Sequence, residues 1–167
     1  MNTLTFARCA TAFAIGCATS LALAAADDPS LARGRYITRT SGCNDCHTPG
    51  YAETAGAVPE SQWLVGVPVG FKGPWGVSYP SNLRLIVQTM TEDAWLPYAR
   101  SPRRPPMPWF NLRDMSDADL RDMYRYIRSL GPAGTPAPAF APPDADVRTP
   151  WILFVPQNLP TGAAPPK

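Results

Sequence analysis

The sequence predicts an all-α fold in which a few helices are separated by long loops, followed by a proline- and alanine-rich C-terminal extension. Apolar residues repeat at helical spacing within residues 117–132, and a second helix pattern covers residues 28–40. Glycine and proline recur throughout residues 49–80, which favours loops over regular elements. Beyond residue 132 the apolar periodicity is too sparse to predict a second domain.

The last helix of the domain has the clearest pattern. Its apolar positions follow the i, i+3, i+4, i+7 spacing of one helix face, at Leu120, Met123, Tyr124 and Ile127. Ser116 and Asp119 form a variant of the capping box at its start, and Gly131 followed by Pro132 ends it. We therefore expect one face of this helix to lie in the core.

Further elements are expected along the rest of the domain. The first helix covers residues 28–40, with a proline in its first turn. A shorter helix is expected over residues 91–100, where Pro97 should cause a kink or an early end. Residues 63–69 are expected to form a short strand within the long loop region.

The first 26 residues have the pattern of a secretory signal peptide. Arg8 supplies a positive start, residues 9–24 form an apolar run, and three alanines precede Asp27 as a processing site. Cleavage there removes two of the four cysteines, so no disulfide framework is expected. The predicted mature chain is periplasmic, with one domain over residues 27–132 and the extension over residues 133–167.

The sequence gives little support for membrane or nucleic-acid binding. The Ala14-Ile15-Gly16-Cys17 stretch loosely resembles a lipoprotein processing site, but the usual leucine is missing, and ordinary cleavage is favoured. Membrane association is therefore expected only through a lipidated Cys17 or through a membrane complex. Basic and acidic residues nearly balance, at 15 and 13, so no nucleic-acid partner is predicted.

Residues 43–47, with the sequence CNDCH, are the main chemical signal of the chain. A structural zinc site needs four ligands, and the mature chain offers two cysteines and one histidine. A thiol–disulfide exchange site would need a preceding strand and alternating strands and helices, which the sequence does not show. C-x-x-C-H is the signature of covalent haem attachment, in which Cys43 and Cys46 join the vinyl groups and His47 can bind the iron.

The sequence resembles the c-type cytochromes, specifically the small monohaem bacterial proteins of class I type. The matching segments are CNDCH at 43–47, GPWGVSYPSNL at 73–83, PPMPWFNL at 105–112 and DADLRDMYRYIRSLGP at 117–132. The resemblance implies a cytochrome c-like fold around one covalently bound haem c. It also implies that the first and last helices cross, and Gly34 would leave room for that contact.

The second axial ligand of the iron is predicted by elimination. Histidine occurs once in the chain, so a methionine, Lys72 or an open position remains. Met107 stands between prolines, where a stiff loop would hold its thioether at little further entropic cost. Met90, Met115 and Met123 are assigned packing roles. Because imidazole and thioether are the usual pair in cytochromes c, Met107 is the predicted ligand.

Nearby aromatic and basic residues are candidates for haem contacts. Trp75 and Trp109 are predicted to lie beside the haem, with indole N–H groups within reach of a propionate, whereas the other three tryptophans should pack. The arginines at positions 100, 103 and 104 would bind propionates, steer an acidic partner or simply keep the surface soluble. The second nitrogen of His47 should find a carbonyl acceptor within residues 59–74.

The extension contains one apolar run, at residues 151–155. Most apolar runs serve the core of their own chain, so we predict that this one folds back on the domain as an edge strand. Docking to a partner protein is the alternative.

These observations predict an electron-transfer protein rather than an enzyme. Six-coordinate iron has no vacant position for a substrate, and the sequence shows no nucleophile-and-base pair and no phosphate loop. The expected function is a one-electron carrier, alone or as a subunit of a dehydrogenase or respiratory chain. Its partners would be a dehydrogenase, an oxidase or another cytochrome. The alternative is a haem enzyme or gas-binding protein with an open sixth site, in which Met107 does not bind the iron.

Overall fold

The computed structural model describes residues 28–158; residues 1–27, which include the predicted signal peptide, and residues 159–167 lie outside this range. Within it the chain is mostly helical with a small sheet and long loops, which confirms the predicted fold class. The helices are α1 (Pro29–Thr40), α2 (Cys43–His47), α3 (Leu83–Ile86), α4 (Glu92–Arg100), α5 (Trp109–Asp114) and α6 (Asp117–Ser129). The strands are β1 (Gly70–Gly73), β2 (Gly76–Ser78) and β3 (Trp151–Leu153). Over these residues, no helix combines the length and apolar character that a bilayer crossing requires.

Local capping explains where the two long helices begin. The carboxylate of Asp28 accepts a hydrogen bond from the backbone N–H of Ser30 at 2.9 Å, and α1 begins with the expected proline. The hydroxyl of Ser116 accepts one from the backbone N–H of Asp119 at 3.1 Å at the start of α6. Gly131 follows α6 with φ of 71°, a left-handed conformation that suits glycine after a helix. These predicted helix bounds are confirmed.

Helices α1 and α6 pack closely at Gly34. A Cβ atom at this position would lie 2.0 Å from the carbonyl oxygen of Asp122 and 2.7 Å from the Cβ of Tyr126. An ion pair between Arg33 and Asp119, at 2.9 Å, joins the same two helices. The absence of a side chain at Gly34 therefore permits the helix crossing that the resemblance to the c-type cytochromes implied.

The core lies between these helices, α4 and the loop after α2. Its most deeply buried apolar side chains are Leu64, Val87, Leu120, Met123 and Ile127. Trp63 and Trp95 also belong to the core cluster, as predicted. Each buried indole N–H donates to a backbone carbonyl, Trp63 to Val58 at 2.8 Å and Trp95 to Leu120 at 2.9 Å.

The small sheet has the strand order β2-β1-β3. Strand β1 pairs antiparallel with β2 and parallel with β3, so the extension supplies one edge of the sheet. The strand expected over residues 63–69 is absent from this part of the structure, which was a wrong prediction. Leu64 and Gly66 have φ values of 62° and 79°, and the left-handed region is incompatible with a strand.

The apolar run of the extension returns to the domain, but its side chains remain about half exposed. Trp151, Ile152, Leu153 and Phe154 are between 43% and 55% exposed. The ammonium group of Lys72 lies 4.5 Å from the centroid of the Trp151 ring. The prediction that Trp151 serves mainly in packing is therefore wrong, because an edge strand in a small sheet leaves its side chains without a covering layer.

Helix α4 continues through Pro97 to Arg100, so the expectation of an early end is wrong. Pro97 has no N–H to donate to the carbonyl of Asp93, one turn before it. Asp93 lies in the exposed first turn of the helix, where water can satisfy that carbonyl. The buried side chains of α4 lie on both sides of Pro97, with Trp95 and Leu96 before it and Ala99 after it, and all three pack in the core.

Candidate functional site

One cavity brings together the side chains predicted to bind a cofactor. It is lined by Cys43, Cys46 and His47 of α2 and by Met107 of the loop before α5. The cavity is partly open to solvent, and its walls are mostly apolar. Aromatic parts of the wall come from Phe71, Tyr79, Trp95, Tyr98 and Phe140.

The short helix α2 places the motif on one face. Gly42, with φ of 73°, turns the chain between α1 and α2. Positions i, i+3 and i+4 of a helix share a face, which explains why both thiols and the imidazole reach the same cavity. Thr48 fixes the end of α2, because its hydroxyl donates to the Asn44 side chain at 2.7 Å and accepts from the Leu64 N–H at 2.8 Å.

His47 is held through one ring nitrogen. Its Nδ1 lies 2.7 Å from the carbonyl oxygen of Ser81, and the side chain is buried. Burial lowers the pKa of His47, and the contact with the Ser81 carbonyl opposes that effect only in part. In the neutral ring, Nδ1 carries the proton and donates a hydrogen bond to the carbonyl of Ser81, so Nε2 has a free lone pair for a metal. The acceptor lies beyond residues 59–74, so that prediction was wrong.

Both cysteines of the motif are free thiols rather than a disulfide. Burial raises the pKa of the Cys43 thiol to about 12, and burial also raises the pKa of Cys46. Thiol–disulfide exchange needs a thiolate, which active sites of that kind stabilise by lowering the pKa. The motif also follows helix α1 rather than a strand. The surroundings therefore do not favour the exchange alternative.

Met107 lies in a loop that is held by several hydrogen bonds. Its backbone N–H donates to the carbonyl of Arg104 at 3.3 Å, and its own carbonyl accepts from Trp109 at 2.9 Å. The hydroxyl of Ser78, at the end of β2, donates to the carbonyl of Pro105 at 2.6 Å. The loop is thus tied to the sheet on one side and to the start of α5 on the other.

The other side chains considered as a second iron ligand lie partly in the core and partly outside the cavity. Met90 and Met115 pack against the core cluster, as predicted. Met123 belongs to the core and also lines the cavity. Lys72 lies on β1 with its ammonium over Trp151, and it is not among the residues that line the cavity. Met107 and Met123 therefore share the cavity with His47, whereas Lys72 does not.

Trp75 and Trp109 do not contribute to the cavity wall. The indole N–H of Trp75 is buried and has no hydrogen-bond partner among the described residues. Trp109 lies beside Arg113, whose guanidinium carbon is 5.5 Å from its ring centroid. That these two residues contact the haem stays a prediction. Trp95 and Tyr98 line the cavity instead, and their spacing of three on one helix was the signal that could have found them.

The three arginines at positions 100, 103 and 104 do not all lie at the cavity. Arg100 forms an ion pair with Asp117 at 2.6 Å, away from the cavity wall. Arg103 and Arg104 line the cavity. Arg103 donates to the carbonyl of Tyr98 at 2.7 Å, and the guanidinium carbon of Arg104 lies 3.6 Å from the centroid of the Phe140 ring.

The donor set fits a c-type haem. Two thiols at i and i+3, a neutral histidine with one nitrogen fixed and one free, and a thioether share one mostly apolar cavity. The fold and the site thus define a c-type haem protein.

Comparison with known proteins agrees with this class. The family model described as Cytochrome c matches residues 31–131, which is more than half of the chain. The chain belongs to the cytochrome c family. No match was found among curated proteins or among solved structures. The cofactor of this family is covalently bound haem c with its iron, and its general function is electron transfer by the haem.

Proposed function

We propose that this chain is an exported, periplasmic one-electron carrier with a His/Met-ligated haem. Cys43 and Cys46 attach the haem, and His47 and Met107 are its axial ligands. The observation that carries the proposal is that these four side chains line one mostly apolar cavity. The chain would act alone or as the electron-transfer subunit of a dehydrogenase or respiratory complex.

Bound haem supplies a one-electron ferric/ferrous couple. The chain's own residues set the conditions for it. The Ser81 carbonyl fixes the tautomer and orientation of His47 and makes the ring a better donor. The thioether of Met107 favours the ferrous state, and apolar walls disfavour the additional positive charge of the ferric state. Each of these three features affects the reduction potential.

The ligation is tested by the near-infrared absorption band of the ferric protein, which arises from charge transfer between methionine sulfur and iron. We expect the band in the wild-type protein and its loss in Met107→Ala. Met90→Ala is the matched control, because Met90 packs against the core and does not line the cavity. Persistence of the band in Met107→Ala would contradict the ligand assignment.

The same variants separate a carrier from the alternative of a haem enzyme or gas-binding protein. A carrier with both axial positions filled should not bind carbon monoxide in its reduced, native form. Met107→Ala should bind it, because the substitution opens the sixth position. Binding by the unmutated reduced protein would favour the alternative function.

Covalent attachment is tested by extraction of the mature, coloured protein with acidified acetone. Haem held by two thioether bonds should stay with the polypeptide and give a haem-stained band after denaturing electrophoresis. Cys43→Ala and Cys46→Ala should each leave one bond at most, and the double variant should release its haem completely. Complete extraction from the wild-type protein would refute attachment.

Export is proposed from the sequence of residues 1–26, which lie outside the described structure. The intact mass of the mature protein should correspond to a chain that begins at Asp27 with one haem added. A mass that includes a lipid on Cys17 would support the lipid-anchored alternative instead.

Partner recognition is proposed to involve Arg103 and Arg104, which lie at the cavity and carry positive charge. An acidic redox partner would be steered toward this side of the molecule, and the association rate should fall as salt screens the charges. Neutral substitution of both arginines should remove most of that salt dependence. A rate that is independent of salt in the unmutated protein would contradict steering.

A further inference from the structure

The first part of the C-terminal extension passes along the cavity. We call residues 133–142 the strap. Pro138 and Phe140 of the strap contribute to the cavity wall, although they lie beyond residue 131, where the family match ends. The strap is therefore part of the candidate haem site rather than a separate tail.

The strap is anchored at both of its ends. At the first end, the side-chain amide of Asn82 donates to the carbonyls of Ala133 at 2.8 Å and Thr135 at 3.2 Å. At the second end, Ala141 and Val77 exchange two backbone hydrogen bonds, at 2.8 and 3.0 Å. Asn82 and Val77 are buried, so both anchors lie on the body of the domain.

Between these anchors, Phe140 contacts the methionine loop through Arg104. The guanidinium carbon of Arg104 is 3.6 Å from the centroid of the Phe140 ring, within the range of a cation–π contact. The carbonyl of Arg104 accepts the backbone hydrogen bond of Met107. The aromatic ring thus restrains a residue that in turn holds the backbone of the predicted ligand.

The sheet restrains the same loop from a second direction. Ser78 donates to the carbonyl of Pro105, and its neighbour Val77 forms the bridge to the strap. Strand β2, the strap and the methionine loop are therefore connected in one network around the cavity. A substitution in the strap should therefore change how firmly Met107 is held, even without contact between Phe140 and the iron.

We propose that the strap keeps the methionine loop closed over the haem, with Phe140 as a positioning residue for Met107. The inference rests on the proposed ligation of the iron by Met107. An external ligand can bind the ferric iron only when the thioether has moved away. Its apparent affinity is therefore proportional to the fraction of molecules in which the loop is open.

The test is a titration of the full-length ferric haem protein with imidazole, followed by loss of the near-infrared methionine band. Phe140→Ala removes the contact with Arg104, and we expect imidazole to bind about 2- to 5-fold more tightly, the range that corresponds to a cation–π contact with an exposed arginine such as Arg104. Phe140→Tyr keeps the ring and should behave as the wild type. Trp151→Ala is the matched control, because it removes a cation–π contact with Lys72 in the same extension, outside the cavity wall, and should leave the imidazole affinity at the wild-type value.

The outcomes distinguish the strap from the ligation itself. If the wild type shows the methionine band and Phe140→Ala binds imidazole with the same affinity as the wild type, the proposed role of the strap is wrong, whereas the proposed ligation by Met107 is still supported. Absence of the band in the wild type overturns both. If Phe140→Ala does not accumulate as folded protein, Arg104→Met should show the same increase in affinity, and unchanged affinity there overturns the proposal. A lowered urea midpoint with unchanged imidazole binding would show a structural role only, and it also overturns the proposal.

Discussion

Replacing Gly34 with alanine tests the helix crossing that frames the haem cavity. The new methyl group would lie 2.0 Å from the carbonyl oxygen of Asp122 and 2.6 Å from its carbonyl carbon. Both atoms belong to the backbone of α6 and cannot move as a side chain does. The substitution therefore forces α1 and α6 apart or bends one of them.

The magnitude follows from the distances. Ordinary contact begins at 3.4 Å, so the helices must separate by about 1.4 Å at this point of a close-packed interior. Alanine gains about 1 kcal/mol over glycine in helix propensity. Overpacking of a tight core costs about 1–3 kcal/mol, and a backbone contact belongs at the upper end of that range. We expect a net loss of about 1–2 kcal/mol in the free energy of unfolding.

Urea unfolding of the haem-loaded protein, followed by circular dichroism, measures this loss. Ala32→Gly is the matched control, because Ala32 is exposed in the same helix and its replacement should show only the propensity cost of about 1 kcal/mol. A Gly34→Ala protein as stable as the wild type, or more stable, would show that the crossing tolerates a side chain and would refute the reasoning.

Three further predictions follow from single contacts. Arg84→Met should lower the free energy of unfolding by about 2–4 kcal/mol in urea titrations, because the buried guanidinium donates to three backbone carbonyls that would lose their partner. Hydrogen bonding from Arg125 lowers the pKa of Glu92 in the folded protein. The ionised Glu92 side chain therefore contributes fully to the free energy of unfolding above its unfolded pKa of about 4.3, and this contribution is lost as the pH falls through the lower pKa of the folded state. Glu92→Gln should therefore flatten the acid limb of the stability profile, and an unchanged limb would refute the pairing. Ser78→Ala removes the hydrogen bond to Pro105, and imidazole should displace the methionine band at a concentration about 2- to 10-fold lower; equal concentrations would show that this bond does not restrain the loop.

The helix start and the grouping of the motif were predicted correctly because both depend on residues that are close together in the sequence. The start of α6 needs only the Ser116 hydroxyl and the N–H of Asp119, three positions later. The grouping of Cys43, Cys46 and His47 on one face needs only one turn of helix. Helix α4 shows where such local arguments fail. The local preference of Pro97 predicted an early end, but the helix packs in the core on both sides of Pro97 and continues to Arg100.

The contacts that define the site come from distant parts of the chain. The acceptor for His47 is the carbonyl of Ser81, 34 positions away, and since every residue carries a backbone carbonyl, the sequence offers no signal for this one. The sequence also gives no signal for the contact between Phe140 and Arg104, because this contact depends on where the strap crosses the sheet.

The amino-acid sequence by itself determined the haem-attachment motif, the long helices and the family to which the chain belongs, since each depends on residue types at short, fixed spacing. The tertiary structure alone decided which carbonyl holds His47, that Trp95 rather than Trp75 lines the cavity, and that the extension contributes Phe140 to it. These contacts arise from long-range packing, in which the partner of a side chain depends on the path of the whole chain rather than on its neighbours.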